Sequence, residues 1–151
     1  MKLEEIPRAS QRVGRLEQEV SGYYIQETLS IYKPEHIYLE SATWNGPKLS
    51  GRFRLEPYPF TKEGHIEYMP ASMLMLYLSQ LGYVYARSLC EADLLPAPIR
   101  ITTEDFFRAR DEGNIVFIGF DKIRFREKAP LHASSLEIKM RIEPLFKERE
   151  S

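Results

Sequence analysis

The stretch Tyr68 to Ala86, YMPASMLMLYLSQLGYVYA, decides the fold. It carries no charged residue and is nearly long enough to cross a bilayer. Pro70, Ser72, Ser79, Gln80 and Gly82 dilute its hydrophobicity, however, and a helix apolar on several faces is equally at home inside a globular core. No membrane span is expected. Pro70 suits a first helical turn, and Met73, Leu76, Tyr77, Gln80, Leu81 and Val84 follow at the spacing of one helical face. The stretch therefore reads as a long central helix buried in a core.

On its N-terminal side, Lys48 to Glu56 alternates strictly. Leu49, Gly51, Phe53 and Leu55 fall on one face, with Lys48, Ser50, Arg52, Arg54 and Glu56 on the other, the pattern of a half-solvated strand. His36 to Trp44 reads as its antiparallel partner, joined through the turn Asn45-Gly46-Pro47. Earlier still, Arg15 to Tyr32 places Leu16, Val20, Tyr23, Tyr24 and Leu29 at amphipathic helical spacing, predicting a helical region over about 10–32, in one or two segments, with Gly22 as its weak point and Pro34 as its stop. Beyond the central helix, Pro96 and Pro98 break the chain. Thr102-Thr103-Glu104-Asp105 has the form of a cap opening a short helix to about Glu112, which Gly113-Asn114 ends. Ile115 to Phe125 and Ser135 to Glu143 read as further strands. The order is hairpin, buried helix, then strands, an α+β plan in which a curved antiparallel sheet wraps around a long helix.

Composition narrows the function. The chain's 151 residues suit one domain, 1–151, and no repeat, low-complexity tract or linker divides it. Lys plus Arg (21) balance Asp plus Glu (22), so neither a nucleic acid nor an anionic surface is the expected partner. A single cysteine, Cys90, excludes an internal disulfide, and Met1 to Glu5 is too acidic to open a secretory signal, so a reducing cytoplasm is expected. No metal-ligand spacing occurs, and neither a metal nor another cofactor is expected.

Two segments resemble a known family. Pro70-Ala71-Ser72-Met73-Leu74-Met75-Leu76-Tyr77-Leu78-Ser79-Gln80 is similar to the central helix of the β-hydroxyacyl-acyl-carrier-protein dehydratases, with proline and glutamine in register. Gly119-Phe120-Asp121-Lys122-Ile123-Arg124-Phe125-Arg126, with Pro130 and Leu136-Glu137-Ile138, resembles the same family's strand pair. A second likeness covers more of the chain and is weighted above the first: Leu29 to Ala42, Gly51-Arg52-Phe53, Leu78 to Tyr83, Ile101 to Phe106 and Arg124 to Arg126 resemble the FcoT-type long-chain fatty acyl-CoA thioesterases. Both likenesses imply a hot-dog fold, an acyl thioester of coenzyme A or acyl carrier protein as substrate, and a homodimer or higher oligomer paired through the central helices.

The residues decide between chemistries. Dehydration by the first family's route takes a base, for which His65 stands before the helix, and an acid within it. The acid's position is Leu76, which cannot exchange a proton; Glu63 and Glu67 are the loop carboxylates that could substitute, or simply solvated charges. Hydrolysis demands less: helix N-terminal amides around Pro70, Ala71 and Ser72 to polarise a carbonyl, and polar side chains to hold water. The thioesterase resemblance implies that those side chains are Tyr32, Tyr58 and Ser79, the family carrying asparagine where Ser79 stands. Each has a plainer reading as well. Tyr32 can pack with its hydroxyl wet, and Ser79 can bond back to a preceding helical carbonyl. Gln80 can join helix to sheet or meet an acyl carbonyl. Arg124 and Arg126 can meet coenzyme A phosphates or water. His36 and His132 read as structural or solvated, and Cys90 as a buried thiol. Three functions follow: thioester hydrolysis first, a dehydratase or isomerase second, and a non-catalytic acyl- or carrier-binding protein third.

Overall fold

The computed structural model describes residues 17–57, 61–62, 64–65, 68–95, 98–115 and 135–141. Its elements run β1 (Gln18–Val20), α1 (Gly22–Thr28), a 3₁₀ turn (Pro34–His36), β2 (Leu39–Asn45), β3 (Lys48–Arg54), α2 (Ala71–Glu91), α3 (Thr103–Asp111) and β4 (Ser135–Arg141). Among the described residues the strands form one antiparallel sheet in the order β1-β2-β3-β4, and the class is α+β.

The hairpin β2–β3 closes through Gly46-Pro47, since Asn45 pairs directly with Lys48. Gly46 has φ +59°, and proline then imposes a negative φ, the sign sequence of a II′ turn that matches strand twist. From that turn the register runs Trp44↔Leu49, Ala42↔Gly51 and, past an irregularity between Leu39 and Ser41, Leu39↔Phe53. Ala42, Trp44, Leu49, Gly51 and Phe53 are buried, while Arg52 on the opposite face is exposed. β4 extends this surface with Gly51↔Ile138 and Phe53↔Leu136.

Helix α2 lies on that face. Pro70 is its N-cap residue, and Met73, Tyr77, Gln80, Leu81, Val84 and Ser88 are buried at helical spacing. Leu81 crosses the sheet at Gly51, where an added Cβ would come within 2.6 Å of Leu81 Cδ1 and 2.9 Å of Leu39 Cδ1. Absence of a side chain at Gly51 is what lets helix and sheet approach. Phe53 stacks on Tyr77 at 4.8 Å between centroids, and Tyr77 donates a hydrogen bond to the Arg54 carbonyl at 2.8 Å.

The N-terminal region differs from the one or two helical segments expected over about 10–32, of which residues 10–16 lie outside the described residues. Gln18–Val20 is a strand whose Val20 pairs with Ala42, and the helix is confined to Gly22–Thr28. Ser21 marks the boundary: its backbone is extended and its Oγ accepts from the Tyr24 amide at 3.1 Å. A serine that caps a helix cannot also lie within one. The apolar spacing survives because Val20 reaches the core from the strand and Tyr24 and Leu29 from the helix segment, whereas Tyr23 is exposed. Tyr32 lies in the turn beyond α1, its amide bonded to the Leu29 carbonyl at 2.9 Å. Pro34 opens the 3₁₀ turn, so His36 stands there rather than in β2.

Helix α3 has the expected capping box. Thr102 Oγ1 accepts from the Asp105 amide and Asp105 Oδ2 from the Thr102 amide, at 3.1 and 3.3 Å. Hydrogen bonding to the Thr102 side chain, and then to its amide, holds the Asp105 carboxyl below its ordinary range. Gly113 at φ +72° ends the helix. Apart from Ile115, the strand expected to Phe125 lies outside the described residues, as do residues past Arg141 in the strand expected to Glu143.

Candidate functional site

Tyr32 and Ser79, 47 residues apart in sequence, meet in space: their hydroxyl oxygens are 2.9 Å apart and hydrogen-bonded. α2 presents Ser79 on its half-open side, and the turn after α1 delivers Tyr32. The ring of Tyr83, one helical turn beyond Ser79, meets the Tyr32 ring edge-on at 6.3 Å and 76°. Burial holds the Tyr32 phenol above its ordinary pKa, the bond from Ser79 working against it and the neighbouring Tyr83 with it. At neutral pH Tyr32 is therefore a neutral donor and acceptor, suited to orienting a group rather than removing a proton. Both residues are half-buried, so the pair borders accessible space.

The hydrogen bond made by the Ser79 hydroxyl is the one to Tyr32, not one to a preceding helical carbonyl. Ser88, also on α2, does bond back to its own helix, to the Val84 carbonyl at 2.8 Å.

Gln80 adjoins Ser79 but faces inward and is fully buried. Its Oε1 accepts from the Tyr38 and Leu39 amides at 2.9 and 3.3 Å, and its Nε2 donates to the His36 carbonyl at 2.7 Å. The side chain stands where a neighbouring strand would otherwise satisfy the start of β2. Its amide is committed to the backbone, the helix-to-sheet role that was one of its two readings.

Pro70, Ala71 and Ser72 open α2. The first internal bond of the helix is from the Leu74 amide to the Pro70 carbonyl at 3.2 Å, and Ala71 and Ser72 are exposed. Ser79 lies two helical turns further on, ~10 Å along the axis. The helix N-terminus and the Tyr32–Ser79 pair therefore do not converge on one atom within this chain. They share a face, with Met75 and Leu76 between them, so the stripe joining the two polar ends is apolar.

His65 is exposed, its amide bonded to the Lys62 carbonyl at 3.2 Å, and no described contact joins it to Tyr32 or Ser79. Tyr58, Glu63, Glu67, Arg124, Arg126 and His132 lie outside the described residues. Cys90 is half-buried, and burial, helped by the Glu91 charge, pushes its thiol up to about 11, so it is not a nucleophile at neutral pH. Among the described residues no three His, Cys, Asp or Glu side chains group as metal ligands, and no helix is long and apolar enough to cross a membrane. A polar groove of about 220 Å³ on the far side of the sheet is lined by Ser41, Thr43, Ser50, Arg52, Glu137 and Lys139 among others, with the sheet between it and the pair.

Two arginines invisible to the sequence reading organise the layer behind Tyr32. Arg87 is 2% exposed and lies over the Tyr24 ring at 3.8 Å and the Phe107 ring at 4.6 Å. It donates to Glu91 Oε1 at 3.0 Å and Thr28 Oγ1 at 2.9 Å. Arg110 of α3 donates through one nitrogen to the Glu27 and Thr28 carbonyls at 2.8 and 2.9 Å, and its two other nitrogens bond Asp111. The available signal was position: Arg87 follows an uncharged run of helix, and Arg110 falls one turn after buried Phe106.

No protein-family model matches this chain, and no curated protein matches it.

Proposed function

We propose that the chain is a hot-dog domain that hydrolyses an acyl thioester of coenzyme A or acyl carrier protein, working in the cytoplasm as a homodimer or higher oligomer. One observation carries the reading: the hydroxyls of Tyr32 and Ser79, the two described positions that the thioesterase resemblance assigns to the reaction, lie 2.9 Å apart on an accessible flank of α2. The antiparallel sheet packed on one long helix is compatible with that fold.

In this reading a water molecule is held by Ser79 Oγ, and the neutral Tyr32 phenol donates to the thioester carbonyl as charge develops on it. The water oxygen bonds to the carbonyl carbon, the carbon–sulfur bond breaks, one water proton passes to the departing sulfur and the other is released to solvent, giving a carboxylate and a free thiol. The phenol's raised pKa favours this donor role. Met75 and Leu76, on the same helical face, offer an apolar track for the acyl chain or the carrier arm. Dehydration is less well supported, because Glu91 is the only carboxylate on α2 and Arg87 engages it at the far end of the helix.

The test is thiol release from a panel of short, long and β-substituted acyl-CoA and acyl-carrier substrates. Wild-type protein is expected to release thiol, with kcat reduced ~10²-fold in Tyr32→Phe and by at least ~10-fold in Ser79→Ala, the usual scale for losing a positioned donor. No thiol from any substrate would reject hydrolysis. An enoyl product without thiol would indicate a dehydratase, and binding without turnover a non-catalytic acyl- or carrier-binding protein.

A further inference from the structure

Tyr32 lies outside regular secondary structure, yet its hydroxyl is held on Ser79. Two separate contacts from α3 and the residues just after it bear on the turn that carries it, beside those that α1 makes with α2. First, Arg110 Nη1 donates to both the Glu27 and Thr28 carbonyls, at 2.8 and 2.9 Å. These are among the last carbonyls of α1, which an isolated helix leaves without partners. The guanidinium is itself fixed, by Asp111 Oδ1 at 2.9 and 2.7 Å and by the Phe107 ring at 4.8 Å. Tyr32 follows at once, its amide bonded to Leu29. Second, the Tyr83 hydroxyl donates to the Ile115 carbonyl at 2.9 Å, and the Ile115 amide bonds back to Ala109 of α3 at 3.3 Å. The Tyr83 ring is the edge-on wall against Tyr32.

We infer that α3 is a positioning element for Tyr32, with Arg110 clamping the end of α1 and Ile115 fixing Tyr83, so that the Tyr32 hydroxyl meets Ser79 only when both contacts are made. A guanidinium is suited to the clamp, since Nη1 meets the two carbonyls while Nε and Nη2 hold Asp111 and the planar group lies on the Phe107 ring, a spread of donors that a single ammonium nitrogen lacks. Arg110 and Tyr83 act through Tyr32 and are not themselves reacting groups. The catalytic consequence rests on the hydrolase reading; the positioning itself does not.

The test is a coupling measurement in the full-length protein labelled with 3-fluorotyrosine, the Tyr32 resonance being assigned through Tyr32→Phe. In otherwise wild-type protein, Ser79→Ala is expected to move the Tyr32 fluorine resonance, because the hydroxyl bond is lost. In Arg110→Met and in Tyr83→Phe the same Ser79→Ala change is expected to leave that resonance nearly unmoved, because the bond is already broken; Arg108→Met, on the exposed side of α3, keeps the full response. An undiminished Ser79 response in either Arg110→Met or Tyr83→Phe overturns the inference. Should Arg110→Met fail to fold, Tyr83→Phe, which removes one hydroxyl, decides alone. Where wild-type protein turns over thioester, Arg110→Met is further expected to lower kcat at least ~10-fold while KM stays within about threefold. An unchanged kcat overturns the inference. Absence of turnover in wild type removes the hydrolase reading, and the fluorine response then decides positioning by itself.

Discussion

Replacing Gln80 with methionine keeps the length and nearly the volume of the side chain while removing both polar atoms. The Tyr38 and Leu39 amides then lose their acceptor and the His36 carbonyl its donor. Tyr38 and Leu39 are buried and Gln80 is fully so, so water does not reach the two amides without local opening. An orphaned buried group costs about 1–3 kcal/mol. The amides share one acceptor, and the Leu39 bond is the longer at 3.3 Å, while His36 is exposed and its carbonyl can turn to solvent. The expected loss is therefore about 2–4 kcal/mol rather than three full penalties. For a chain of this size that lowers Tm by roughly 5–15 °C. Urea unfolding followed by fluorescence suits the measurement, because the single tryptophan, Trp44, is buried in β2, the strand Gln80 holds. A loss below about 1 kcal/mol with an unchanged m-value would refute the claim that Gln80 substitutes for a strand.

Gly51→Ala is expected to destabilise by about 1–3 kcal/mol through overpacking against Leu81 and Leu39, and a change within about 0.5 kcal/mol would show that the helix can shift outward at no cost. Alkaline pH should weaken the fold: burial raises Cys90 from 9.0 to about 11 and Tyr77 from 10.0 to about 12, so the folded protein holds these protons more tightly than the unfolded chain. Their contribution is complete below the unfolded values and is lost as pH rises through the folded ones. Urea midpoints are expected to fall between about pH 8 and pH 11, and to fall less in a Cys90→Ala, Tyr77→Phe double variant; an equal fall would assign the alkaline loss to other groups.

The alternation of Lys48 to Glu56, the α2 pattern after Pro70 and the capping box at Thr102 were legible because each is written within a few residues of itself. Strand and helix periods and caps are local devices, and their local signal survived into the fold. The stretch Arg15 to Tyr32 was not legible, because Val20, Tyr24 and Leu29 point at one core from two different elements and so counterfeit a single helical face. What resolved it was the pairing of β1 with β2, a contact between residues more than twenty positions apart.

The candidate site divides along the same line. Sequence nominated Tyr32 and Ser79 by likeness and left Gln80 with two roles. By itself the sequence determined an α+β chain with one long buried helix, a polar-faced hairpin, balanced charge and no disulfide, because composition and local period depend on order along the chain alone. Only tertiary structure decided that Tyr32 meets Ser79, that Gln80 bonds the backbone leading into β2, and that Arg110 caps α1 from 82 residues away. Those bonds join groups whose separation is fixed by packing and sheet register, and no local pattern encodes such a distance.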